Sequence, residues 1–177
     1  VVGQENIPAD GAVILAPNHC NTLMDALVIL RANKKETVFG ARADMFNIKL
    51  VAKIMFFLRI LPMVRQRDGL RNVLKNKDTE EVIVETLEHG VPFCIFPEGT
   101  RNKEKGCVLP FHEGSFKIAE KSGVPIVPMV LVNTEEIFES HFPKVKPTTV
   151  IVEYCEPIYL DRLSKEEKKF IGAHVHD

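Results

Sequence analysis

Apolar residues fall in short runs separated by longer mixed stretches. Gly11 to Ala16 (GAVILA) is too short for a buried helix and reads as a buried strand, ended by Pro17. Asn21 or Thr22 can cap a helix reaching Asn33, with Leu23, Leu27 and Leu30 at four- and three-residue spacing. Thr37 to Ala41 is the next strand. Residues 47–61 (NIKLVAKIMFFLRIL) read as an apolar helix interrupted by Lys49, Lys53 and Arg59, with Pro62-Met63-Val64 as a strand after it. Asp78 with Glu81 three residues on resembles a capping box, opening a helix that runs to His89 and stops at Gly90. Pro92 to Phe96 is a strand, Gly114 to Ser122 a short helix, and Pro125–Val132 and Thr148–Tyr154 are strands. Ser164 and Glu167 cap a last helix.

Strands alternating with helices predict an α/β fold with a mostly parallel central sheet flanked by helices. Chemistry in such sheets sits in loops beyond the carboxyl ends of the strands. Two polar segments occupy such places, one after the first strand and one after Phe96.

Length and composition bound the picture. The 177 residues, 45% hydrophobic, suit one domain with its own core, and no repeat or linker divides them. The chain opens Val-Val-Gly-Gln-Glu without Met, so residues 1–177 read as a single domain excised from a longer chain, where a membrane anchor has room. The 27% of charged residues excludes disorder and low complexity. Cys20, Cys94, Cys107 and Cys155 form no C-x-x-C pair, and no His cluster has zinc spacing. No metal and no redox cofactor is expected, and the compartment reads as reducing, on the cytosolic side.

Net charge changes the picture further. A net −1 with pI near 6.7 argues against nucleic acid as a partner. It conceals an asymmetry: Arg31 to Lys77 holds 12 Lys/Arg against 3 Asp/Glu, and the rest 11 against 21. The basic block points to an anionic partner: a membrane surface, a phosphate or a nucleotide.

The first polar segment is Asn18-His19-Cys20-Asn21-Thr22-Leu23-Met24-Asp25. Were His19 and Asp25 both helical, they would lie about 240° apart on the wheel and could not meet. A contact requires His19 off the helix, folded back across its N-terminus. Asp25 would then accept from one ring nitrogen and leave the other as a base. The plainer reading is a loop of hydrogen-bonding residues with a first-turn acid. The second segment, Phe96-Pro97-Glu98-Gly99-Thr100-Arg101-Asn102, gathers an acid, a glycine, a hydroxyl and a guanidinium. Gly99 admits close approach of an oxyanion, Arg101 matches phosphate oxygens, and Glu98 orients Arg101 or takes a ligand hydroxyl. A β-turn with an internal Glu–Arg pair explains the same residues.

Together the segments resemble the glycerolipid acyltransferase family, which includes lysophosphatidic acid and glycerol-3-phosphate acyltransferases. Asn18-His19 through Asp25 looks like its N-H-x-x-x-x-D motif, and Phe96 to Arg101 matches F-P-E-G-T-R throughout. Gly40 to Phe46 is similar to the intermediate motif, Val124 to Met129 to the final V-P-I-V-P motif, and Gly3 to Pro8 to the lead-in. Two departures stand out. Five residues separate His19 from Asp25 where the family has four, and His112 follows Phe111 where many members carry Lys.

The resemblance implies transfer of an acyl group from acyl-CoA or acyl-carrier protein to a glycerol hydroxyl, above all that of 1-acyl-glycerol-3-phosphate. His19 would be the general base, and Asp25 would hold its tautomer. Glu98, Gly99, Thr100 and Arg101 would bind the acceptor, with Arg101 and Arg42 on its phosphate. Arg65 and Arg67 would extend the cationic set. Backbone N–H groups beside His19 or Gly99 would face the oxyanion. The acyl donor is a co-substrate, and no cofactor is needed. The enzyme would work at the cytosolic face of a membrane, bound peripherally or through absent segments, with residues 47–61 either lying on lipid or buried. Rival readings are a glycerol-3-phosphate or lysophospholipid acceptor, a Cys20–His19 acyl-enzyme, a thioesterase, and an inactive lipid- or acyl-CoA-binding protein.

Overall fold

The computed structural model describes residues 1–177 apart from 22–23, 34, 64–69, 103 and 105–106, and gives the backbone alone for 70–78. The proposed cap Thr22, the helix position Leu23, the strand end Val64 and the cations Arg65 and Arg67 lie outside the described residues.

Six strands form one sheet: β1 (Ile14–Pro17), β2 (Val38–Arg42), β3 (Ile60–Met63), β4 (Phe93–Cys94), β5 (Ile126–Val132) and β6 (Ile151–Tyr154). Their order is β3-β2-β4-β1-β5-β6, and every pairing is parallel except β5 with β6. Helices α1 (Met24–Ala32), α2 (Lys49–Phe57), α3 (Leu70–Glu88), α4 (Lys117–Ser122), α5 (Lys165–Lys169) and α6 (Ile171–His176) complete the fold.

Alternation along β1 explains the two layers. Val13 and Leu15 point to the face covered by Ala26 and Ile29 of α1 and Met55 of α2. Ala12, Ile14 and Ala16 point to the other face, under Ile83 and Leu87 of α3, Ile118 and Ala119 of α4, and Ile171 and Val175 of α6. A strand covered on both sides reads as an unbroken apolar run, as GAVILA does. Fully burying each Val, Leu, Ile or Met among them contributes roughly 1.5–3 kcal/mol.

The topology also selects the site. From β1 the chain moves outwards to β2 and β3, with α1 and α2 on one face. It then returns to β4 and β5, with α3 and α4 on the other, as one crossover hand requires. β1 and β4 are therefore neighbours whose connections leave in opposite directions. The crevice beyond their carboxyl ends is the switch point where such sheets bind ligands.

Two sequence expectations are corrected. The helix expected from Asp78 begins at Leu70, which places Asp78 mid-helix. Among its described side chains the buried ones, Ile83 and Leu87, fall in the stretch where the apolar pattern was visible. The helix expected over 47–61 is shorter. A 3-10 turn covers Ala43–Asn47, α2 ends at Phe57, and Arg59 at φ 57° turns the chain into β3. The cap at Ser164 forms as read: its side chain accepts from Glu167 N–H, and the Glu167 carboxylate accepts from Ser164 N–H.

Candidate active site

Pro17 closes β1 at the switch point, and the next residue prolongs the ladder with its side chain. The Asn18 amide donates to Leu131 O at 3.1 Å and accepts from Leu131 N–H at 2.7 Å. This buried amide completes a backbone-like pair with β5 and holds the following turn against the sheet.

His19 lies off α1, as a His–Asp contact demands. Its Nδ1 is 2.9 Å from Asp25 Oδ2. The same Oδ2 accepts from the backbone N–H of Cys20 at 2.9 Å and of Asn21 at 2.8 Å. The fully buried Asp25 carboxylate thus gathers the turn around itself. The Asn21 side chain caps α1 by accepting from Met24 N–H at 3.2 Å. With five residues between them, His19 and Asp25 still make this contact. The His19 ring stacks on Phe96, centroids 4.1 Å apart and planes inclined by 27°. Its Nε2 makes no hydrogen bond among the described residues, and the side chain keeps 15% of its surface exposed. One ring nitrogen is anchored and the other is open.

The loop after β4 meets this turn. Glu98 is 2% exposed; it accepts from His19 N–H at 2.8 Å and from Leu109 N–H at 3.3 Å. Burial pushes its carboxyl above the ordinary range, against the pull of those two N–H groups. Asn102 N–H donates to His19 O at 2.7 Å, so both sides of the histidine backbone are tied to this loop. Gly99 adopts φ 64° beside the His112 ring, and a Cβ there would approach His112 Cδ2 to 2.9 Å. Both the conformation and the space call for glycine.

A family model described as Acyltransferase matches residues 1–132. The chain belongs to the acyltransferase family. Over 177 residues it is 28% identical to a 1-acyl-sn-glycerol-3-phosphate acyltransferase of Borreliella burgdorferi, covering all of this chain and 68% of that protein. A protein of the same name from Cocos nucifera is 31% identical over 159 residues, covering 90% of this chain and 50% of that one. The crystal structure of the 1-acyl-sn-glycerophosphate (LPA) acyltransferase PlsC from Thermotoga maritima superposes with a TM-score of 0.73 at 29% identity, covering 98% of this chain and 65% of that one. The chain therefore spans from half to about two thirds of the length of these relatives.

Within this acyltransferase the residues singled out by sequence reach one edge of the sheet. Val38, Phe93 and Ile14 share a row, and four residues further along their chains stand Arg42 at the end of β2 and Asn18 beside His19. The two guanidinium groups face carboxylates. Arg42 pairs with Asp44, its Nε donating to Oδ1 at 3.0 Å. Arg101 pairs with Glu139 at 2.7 Å. The expected Glu98–Arg101 pair is thus replaced: Glu98 holds the backbones of His19 and Leu109, and Arg101 reaches a residue 38 positions away. The exposed Thr100 stands between them in the loop.

Four of the backbone donors around His19 and Gly99 are engaged. His19 N–H bonds Glu98, Cys20 and Asn21 N–H bond Asp25, and Gly99 N–H bonds Phe96 O at 3.0 Å. Sequence reasoning missed the roles of Asn102, Leu109, Leu131 and Glu139; of these only Asn102 adjoins a recognised motif.

A cavity of about 600 Å³ adjoins the site on the β5 side, lined by Asn18, Cys20, Arg101, Asn102, Leu131 and Glu139 among others. Burial, reinforced by the Asp25, Glu135 and Glu98 charges, pushes the Cys20 thiol up to about 11. Among the described residues no group of His, Cys, Asp and Glu could hold a metal ion.

Proposed function

We propose that this acyltransferase moves a fatty acyl group from a thioester, acyl-CoA or acyl-carrier protein, to the free hydroxyl of 1-acyl-glycerol-3-phosphate, giving phosphatidate. The observation that carries the reading is the His19–Asp25 contact at the switch point, with Nε2 left open. In this mechanism the acceptor hydroxyl donates its proton to Nε2 as its oxygen attacks the thioester carbonyl. The tetrahedral intermediate collapses, the C–S bond breaks, and the imidazolium returns the proton to the departing thiolate. Asp25 holds Nδ1–H towards itself and stabilises the imidazolium while the proton is on the ring, the role of the acid in a hydrolase triad. A base placed in this way contributes on the order of 10²–10⁴ in rate.

The acceptor hydroxyl is itself the nucleophile, so no acyl-enzyme is formed. The raised Cys20 thiol supports this direct route, since it stays protonated at neutral pH. Arg101 and Arg42 take the acceptor's phosphate by exchanging a carboxylate partner for a phosphate of higher charge, with the Thr100 hydroxyl beside them. Gly99 lets the loop before Arg101 turn against the His112 ring. Glu98 acts through His19, fixing the backbone from which the base projects.

Product analysis with a panel of acceptors tests the reading. Phosphatidate should form from lysophosphatidic acid in preference to acylated products from glycerol-3-phosphate or lysophosphatidylcholine. Equal or better turnover of an acceptor that lacks the phosphate monoester would contradict it.

A further inference from the structure

α2 presents an apolar surface outwards. Of its nine residues only Met55 is buried, with Val51 and Leu58 packed partly beside it. At about 100° per residue, Leu50, Ile54 and Phe57 fall within about 60° of one another, about 100° around the helix from the side of Val51, Met55 and Leu58. They are 69%, 48% and 84% exposed, with Ile48 and Phe56 also exposed. Next to this stripe on the wheel lie Lys49 and Lys53, both exposed. Among the described residues neither lysine has an ion-pair partner. A monomer in water gains nothing from a contiguous patch of this kind.

The direction of α2 relates the patch to the site. The 3-10 turn Ala43–Asn47 follows Arg42 at the carboxyl edge of the sheet, and α2 then runs back towards the start of β3. The exposed Met45 and Ile48 therefore begin the apolar surface at the edge where His19 stands.

We propose that α2 docks on an anionic lipid bilayer, with Leu50, Ile54 and Phe57 among the acyl chains and Lys49 and Lys53 at the headgroup phosphates. The charge pattern selects this occupant. The lysines flank the stripe without acidic neighbours on α2, and the segment from Arg31 to Lys77 carries 12 cations against 3 acids. An apolar stripe beside a cationic one is the signature of a helix lying in the interface plane. No helix among the described residues is long and apolar enough to cross a membrane, so an interfacial helix is the attachment that the described residues themselves offer. The proposal concerns a surface and stands independently of the reaction.

Co-sedimentation with vesicles tests it without any acyl donor, so its outcome is separate from that of the acyl-transfer reading. The chain should bind vesicles of phosphatidylcholine and phosphatidylglycerol in equal parts far better than phosphatidylcholine alone, and added salt should release it. Lys49→Gln with Lys53→Gln should weaken binding about 30-fold, the equivalent of about 1 kcal/mol per lysine. Leu50→Ser with Phe57→Ser should weaken it at least as much. These side chains are exposed, so unchanged circular dichroism and Tm should accompany both results. Absence of binding by the folded wild-type chain, or binding unchanged in both double variants, would overturn the proposal. So would a lipid-independent dimer that Leu50→Ser with Phe57→Ser converts to monomer, which would assign the face to a second copy.

Discussion

Asp25→Asn separates charge from shape at the base. The amide is nearly isosteric, and its oxygen can still accept from His19 Nδ1–H and from the Cys20 and Asn21 N–H groups that Oδ2 serves. What disappears is the negative charge 2.9 Å from Nδ1. With the charge centres about 3.5 Å apart and an effective dielectric near 20, carboxylate–imidazolium attraction is about 4–5 kcal/mol. The neutral amide oxygen retains part of this, which leaves a loss of about 3–4 kcal/mol when the proton sits on the ring. At about 1.4 kcal/mol per factor of ten, kcat should fall roughly 10²–10³-fold. Donor and acceptor KM should change no more than about twofold, because the lost interaction develops in the transition state. Weakening two charge-assisted backbone bonds should also cost about 2 kcal/mol of stability, visible as a lower Tm. The assay is thiol-detected CoA release at saturating substrates, with thermal unfolding beside it. A folded Asp25→Asn enzyme within about threefold of wild-type kcat would refute the charge-stabilised base.

Three further outcomes follow from the same geometry. A thiol pushed up to about 11 is protonated at pH 7–8, so Cys20→Ala should keep kcat within about threefold; loss of all turnover would restore the acyl-enzyme route. Burial raises the Glu98 carboxyl, so the fold favours its protonated form; its stabilising contribution is fullest below the ordinary value of 4.5 and is lost as pH rises through the raised folded value. Wild type should therefore gain Tm relative to Glu98→Gln as pH falls from about 8 towards about 4.5, and a gap that narrows on acidification would contradict the burial argument. Ser164→Ala removes the cap of α5 and should cost about 1 kcal/mol in denaturant unfolding without changing kcat; a stability change under about 0.3 kcal/mol would mean that the cap is idle.

Much of this was legible in the chain because it depends on near neighbours. β1 is an apolar run between Gly11 and Pro17, and β5 is one that opens after Pro125. The His19–Asp25 contact needed only one helix start and one residue folded back across it. The capping box at Ser164 joins residues three positions apart. What sequence reasoning missed is carried by backbone groups and distant partners. Glu98 looks like a partner for Arg101 at three residues' distance, yet burial favours hydrogen bonds to the His19 and Leu109 N–H groups, which leave no mark on composition. The Asn18–Leu131 pair joins residues 113 apart. The early start of α3 escaped notice because Arg71 to Lys77 holds only Val73 and Leu74 as apolar positions, too few to show a helical period. For 47–61 the apolar pattern identified a helix but not its exposure, since interior and membrane surface ask for the same residues. Resemblance added the chemistry: spacing alone left the His–Asp pair and the Glu98 turn with plain structural readings.

The central claim is that His19 takes the acceptor's proton. Its most direct test is free CoA release from a long-chain acyl-CoA, with and without lysophosphatidic acid, by wild type and His19→Ala, repeated with an acyl-carrier protein donor. The account predicts release that requires the acceptor, matches phosphatidate formed mole for mole, and falls by on the order of 10²–10⁴ in a folded His19→Ala chain. Release that proceeds equally without acceptor, or that survives in His19→Ala, would contradict it.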